Sequence, residues 1–269
     1  MEEWKQAAIS AQEALQKTLA STHRKSKEVQ EEMKRAVATA QVMETRDMDR
    51  LKNCGTDRHR LRTGTNSKKL TAHQSSPTGK NASLAAPMPF QVVAGEYDLT
   101  VDEGTEQVVG VSEAFIYPYL AHGGLYNDTA LLRLNSSLEF NVNVSAISLP
   151  EYNSTPEAGS NATMVGWGST SNTSQPTWPS LLQWAVVPII SLQECIPLAS
   201  NVPGVNHLCT DALPDKSICT RDPGGPLVQD GAVIGIASWN LNPCTTYPYP
   251  SIFCQVSNFL DFIYGLMSS

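Results

Sequence analysis

The residues that could do chemistry lie mostly in the second half of the chain. Residues 220–228 read TRDPGGPLV, an acid and a proline inside a glycine-rich turn. Upstream, Asp128 stands in YNDTALLRL, after an asparagine and before an apolar run, a setting that suits a buried carboxylate. Five histidines are available as bases: His23, His59, His73, His122 and His207. Acyl transfer needs a hydroxyl nucleophile, an imidazole that takes its proton and a buried acid that orients the imidazole. It also needs two backbone N–H groups aimed at the oxyanion. An acid and bases are present, but the turn carries Pro223, which has neither a hydroxyl nor a backbone N–H.

Around these residues the chain changes character twice. Residues 1–70 hold fifteen of the nineteen Lys and Arg residues against ten acids, a local charge of +5, whereas residues 71–269 come to −12. The overall charge of −7 argues against a nucleic-acid partner. Residues 1–53 lack Gly and Pro and place Trp4, Ala8, Ala11 and Leu15, then Val29, Met33, Ala36 and Ala40, at helical spacing. They read as a long or broken helix with coiled-coil potential, and self-association through residues 1–52 is an expectation. Residues 54–89 show no clear period and read as a linker.

From residue 90 short β-branched segments such as EQVVGVSEAFIY, TALLRL, AISLP, ATMVGWG, LQWAVVPII and GPLVQDGAVIGIASWN alternate with Gly, Pro, Asn and Ser clusters. That texture predicts an all-β barrel or sandwich. VSNFLDFIYGLM at 256–267 spaces Phe259, Phe262, Ile263 and Leu266 as a terminal helix. Seven N-x-S/T sequons, at Asn81, Asn127, Asn135, Asn143, Asn153, Asn161 and Asn172, point to a secreted, glycosylated domain. Residues 1–30 do not read as a signal peptide, and no apolar run is long enough to span a membrane.

The ordered blocks YNDTALLRL (126–134), AISLP (146–150), VGWGST (165–170), VNHLCTDAL (205–213), SICTRDPGGPLV (217–228), IGIASWN (234–240) and PSIFCQV (250–256) resemble the chymotrypsin/trypsin-like serine peptidases. The likeness is nearest to the arthropod trypsin and brachyurin style and covers about two-thirds of the chain. It implies a mainly β, double β-barrel fold over 90–269, lacking its first strands, with a helical segment added before it and a helix at its end.

The resemblance also assigns roles. Asp128 matches the orienting acid. His73, in LTAHQSS, matches the base, although one Ala of the motif is missing and Gln74 replaces its Cys. Pro223 replaces the nucleophile, and Arg221 stands at the usual Gly that gives the second oxyanion donor, so strain or a turned-away N–H is expected there. Asp222 matches the acid that pairs with a freed N-terminal amine. With no I-V-G-G-like start, it is left to protonate, find a local donor or leave the loop mobile. Ser217 matches the base of the specificity pocket, with Ser238, Trp239 and Asn240 on the substrate-binding strand. Asn240 and Ser251 replace usual glycines and narrow the pocket.

The resemblance implies disulfides Cys195–Cys209 and Cys219–Cys244, leaving Cys54 and Cys254 over, with Cys254 expected as a small buried residue. No cofactor or metal is implied. The expected function is a secreted, catalytically inactive serine-protease homologue that binds a protein or peptide as a decoy or regulator. Two alternatives stand beside it. One is an active endopeptidase of chymotrypsin- or elastase-like specificity whose sequence carries a faulty first exon or a Ser-to-Pro change. The other is a coiled-coil interaction protein with a passive β domain.

Overall fold

The structure, a computed structural model, describes residues 82–85, 91–117, 127–171, 177–200, 202–214, 216–240, 244 and 248–268. The helical reading of 1–53, the coiled coil, His23, His59, His73, His122 and Cys54 lie outside the described residues. Ten strands lie among the described residues: β1 (Ala82–Ala85), β2 (Gln91–Ala94), β3 (Gln107–Ile116), β4 (Ala130–Leu134), β5 (Asn161–Gly166), β6 (Gln183–Ile190), β7 (His207–Thr210), β8 (Pro226–Gln229), β9 (Ala232–Asn240) and β10 (Ser251–Gln255). Helix α1 spans Leu192–Leu198, and a 3-10 turn at Val256–Phe259 leads into α2, Leu260–Met267.

Six strands close a barrel in the order β10-β7-β6-β5-β8-β9. Alternation drives it: along β5 and β6, Ala162, Met164, Val187 and Ile189 point inward and meet Leu208, Leu227, Ile234 and Phe253. Strand β9 passes close to its neighbours at Gly235, where a Cβ would sit 3.0 Å from the Phe253 Cβ and 3.2 Å from the Leu227 Cβ. The run GPLVQDGAVIGIASWN is two strands, because Asp230 and Gly231 take φ of 50° and 74° and fold it into a hairpin.

The other half, among the described residues, is a four-stranded sheet. Strand β3 pairs with β2 along its first residues and lies between β1 and β4 along its last. A register shift falls between Val111 and Glu113, and the Ser112 hydroxyl there donates to the carbonyls of Arg133 and Leu134. Strand β1 falls inside the stretch read as a linker. It is held by backbone pairing to β3, which a search for side-chain periodicity does not detect. Conversely, AISLP contributes one isolated bridge, Ser148 to Ala232, instead of a strand. Its Ile147 and Leu149 pack instead against Val233, Val256 and Leu260.

Several contacts couple the halves, among them two that use aromatic side chains. The indole N–H of Trp167 donates to the Tyr97 carbonyl at 3.3 Å. Tyr117 meets Phe259 and Phe262 edge-on, with ring centroids 5.0 and 5.2 Å apart. The terminal helix forms as its spacing predicts, with Phe259, Leu260 and Phe262 buried, although its first turn is a 3-10 helix. No described helix is long and apolar enough to cross a membrane.

Candidate active site

Asp128 is set by the residue before it. Asn127 takes a left-handed φ of 56°, which asparagine tolerates, and its side chain accepts from the Asn206 amide at 2.6 Å. Asp128 is buried, and its carboxylate accepts a hydrogen bond from the Ser238 hydroxyl of β9 at 2.8 Å. Its backbone carbonyl faces the Cys254 thiol at 3.3 Å. Burial first, and then the Asp128 charge, push that thiol up to about 12. Cys254 is free and buried, as expected, and keeps its proton at neutral pH.

The 220–228 turn is built on backbone bonds. The Asp222 N–H donates to the Cys219 carbonyl at 2.9 Å, the Gly225 N–H to the Asp222 carbonyl at 2.8 Å, and the Gly224 N–H to the Ala237 carbonyl at 2.7 Å. Pro223 stands between them with no N–H to offer. Arg221 keeps the left-handed conformation expected of a glycine, with φ of 76°. For a side chain with a Cβ this costs about 1–2 kcal/mol. Its guanidinium lies 4.1 Å from the Trp178 ring centroid, a cation–π contact that offsets part of that cost.

Of the three outcomes expected for Asp222, the structure displays a local donor, in fact two. The Gly168 N–H donates to one carboxylate oxygen at 2.9 Å and the Cys219 N–H to the other at 2.8 Å. Gly166 and Gly168 leave the space that the carboxylate fills, because a Cβ on either would overlap it. Burial outweighs the two amides and raises Asp222 to about 6.

Asn240 and Ser251 both reach Ile218. The Asn240 amide donates to the Ile218 carbonyl at 2.5 Å. The Ile218 N–H donates to the buried Ser251 hydroxyl at 3.0 Å. These two side chains tie the 217–219 segment to β9 and β10. Trp239 packs beside Cys195, Cys209 and Ile252. Both disulfides are formed: Cys195–Cys209 with Cα atoms 6.2 Å apart, and Cys219–Cys244 with Cα atoms 5.3 Å apart. Among the other histidines, His207 is buried in β7, with its Nδ1 accepting from the Gly204 N–H.

Asp128, Pro223 and Gly224 share one end of an apolar cavity between the sheet and the barrel. The sequence reading missed a second feature. Glu96, Glu103 and Glu106 bring carboxylate oxygens within 4.8 Å of one another. Glu106 also accepts from the Glu103 and Thr105 amides at 2.8 Å each. Burial, followed by repulsion from Glu106 and Glu103, raises Glu96. An all-oxygen set of this kind suits a hard divalent cation. Three glutamates around the Gly104 turn were its only sequence signal.

Comparison with known proteins adds independent findings. The family model Trypsin matches residues 79–263. Trypsin-1 of Astacus astacus is 35% identical over 183 residues, covering 66% of this chain and 75% of that protein. The trypsin of Sus scrofa is 34% identical over 178 residues, covering 65% and 74%. The trypsin of Xenopus laevis is 32% identical over 184 residues, covering 67% and 72%.

Proposed function

This chain belongs to the trypsin family of serine peptidases, and from that footing we propose that it is a secreted homologue without peptidase activity that works by binding protein or peptide. One observation carries the reading: Pro223 occupies the turn between Asp222 and Gly224 where a nucleophile would stand. Removing a nucleophilic hydroxyl costs about 10⁶-fold in turnover. Removing one oxyanion N–H costs about 10²–10³-fold. Proline removes both at once. The Asn240 and Ser251 hydrogen bonds across the pocket further oppose entry of a substrate side chain.

Binding has surface to work with. Trp178, which stacks with the Arg221 guanidinium, is exposed, as are Leu181, Trp184 and Val186. Aromatic and arginine side chains are the groups that anchor protein interfaces. The two disulfides suit an oxidising, extracellular setting.

A second reading, an endopeptidase with Ser at position 223, is favoured by the retained Asp128–Ser238 hydrogen bond. The deciding experiment measures casein hydrolysis and fluorophosphonate labelling for the protein as it stands and for Pro223→Ser. Neither protein is expected to react, because Arg221 and the bridged pocket remain in the variant. Turnover by the unaltered protein would sink the proposal. Labelling of Pro223→Ser would transfer support to the endopeptidase reading.

A further inference from the structure

Five of the seven sequons lie among the described residues, at Asn127, Asn135, Asn143, Asn153 and Asn161, and the function proposed above uses none of them. An N-x-S/T sequon serves as an acceptor where it reaches the surface. Asn153 and Asn161 are both exposed, and among the described residues no hydrogen bond engages either side-chain amide. Asn153 sits in a left-handed turn, with φ of 55°, beside Tyr152, which is 54% exposed. Asn161 opens β5, where the chain rises from an exposed loop. Side chains alternate along a strand. Ala162 and Met164 enter the core, so Asn161 and Thr163 stand on the outer face, with Asn161 opposite Pro188 of β6.

The other three are held differently. The Asn127 side chain accepts from the Asn206 amide at 2.6 Å. The next residue is the buried Asp128, and the Thr129 hydroxyl that completes the sequon is itself shielded from solvent. The Asn135 amide nitrogen fills the space over Gly110, where a Cβ would overlap it. Asn143 is half-buried at a small hollow that Glu96 and Glu103 also line.

We propose that Asn153 and Asn161 each carry an N-linked glycan and that Asn127 carries none, a proposal that rests on the secreted reading above. The donor class is an oligosaccharide joined to a lipid diphosphate. The asparagine Nδ2 bonds to the anomeric carbon as the bond from that carbon to the diphosphate oxygen breaks. One Nδ2 proton is released and the lipid diphosphate leaves, with no change of oxidation state. The folded chain has room for the product at 153 and 161. At Asn127 a sugar on the amide would part it from Asn206 and leave partly buried polar groups unpaired. A glycan on Asn161 is compatible with partner binding, since Val165, the residue opposite Trp184, lies about 13 Å further along β5.

The test expresses the full chain behind a secretion leader in mammalian cells, with a reporter sequon in a tag after the leader to verify entry into the secretory pathway. Cells and medium are taken together, so the readout does not depend on export. Peptide:N-glycosidase in heavy-oxygen water converts each glycosylated asparagine to a labelled aspartate, and chymotryptic peptides locate the label. Label is expected at 153 and 161 in most molecules and not at 127. Thr163→Ala should abolish the label at 161, keep that at 153 and release one glycan fewer. Label at 127, or its absence from 153 or from 161 while the reporter is labelled, would overturn the proposal. Casein hydrolysis is read separately, so a glycosylated protein with peptidase turnover would refute the earlier reading and leave this one standing.

Discussion

Asp222 accepts two backbone N–H bonds and still resists ionisation. Its carboxyl, raised to about 6 from an ordinary 3.8, holds a proton in the folded state over a window in which the unfolded chain has released it. The folded state therefore binds more protons across that window, and stability falls as pH rises through it. The shift corresponds to something on the order of 2–3 kcal/mol. Asp222→Asn should remove that slope, although it gives up one of the two amide bonds. Urea melts between pH 4 and pH 7 would check this, and equal slopes in the two proteins would refute it. Glu96, also raised, contributes in the same direction to both and cancels in the comparison. At this scale the sequence was informative where residue type alone decides the chemistry, as with the missing groups of Pro223. It was silent on Asn240 and Ser251 reaching the two sides of Ile218, since that contact joins segments far apart in the chain. It also could not foretell that Arg221 would accept a left-handed φ.

Strands were legible wherever one face is buried. Strand β6 lies within the β-branched segment LQWAVVPII, and β5 begins one residue before ATMVGWG. Alternation failed at AISLP, whose apolar residues are buried by packing on the terminal helix, and at β1, whose short run carries no period. Helix α1 was missed, although Ser191 and Glu194 form a capping box that closes its first turn. Gly235 in β9 is a close approach between neighbouring barrel strands. Gly235→Ala drives a methyl into the Leu227 and Phe253 side chains at the barrel wall. It should destabilise the protein by about 1–3 kcal/mol, measured as a lower urea midpoint with an unchanged slope. Tolerance of the alanine would mean that β9 can move away from its neighbours.

At the scale of the molecule, the likeness to serine peptidases could be read from ordered blocks. The sheet and the cavity beside it needed coordinates, because they depend on how strands pair across the chain. Asp128 spans this division: it belongs to the sheet side, and its carboxylate accepts from Ser238 of the barrel. The barrel closes on itself and has no end from which to unzip, whereas the described strands of the sheet do not close. Hydrogen exchange should therefore show two levels of protection, with β5–β10 opening only globally and β3–β4 opening below that limit. Ser238→Ala withdraws a donor from a buried carboxylate, a loss of about 1–3 kcal/mol. It should speed exchange in β3 and β4 about tenfold or more while the most protected barrel amides change far less. Uniform acceleration of both halves would mean that they open as one unit. If the halves open separately as expected, buried Asp128 serves as a latch, setting how often one half of the molecule lets go of the other.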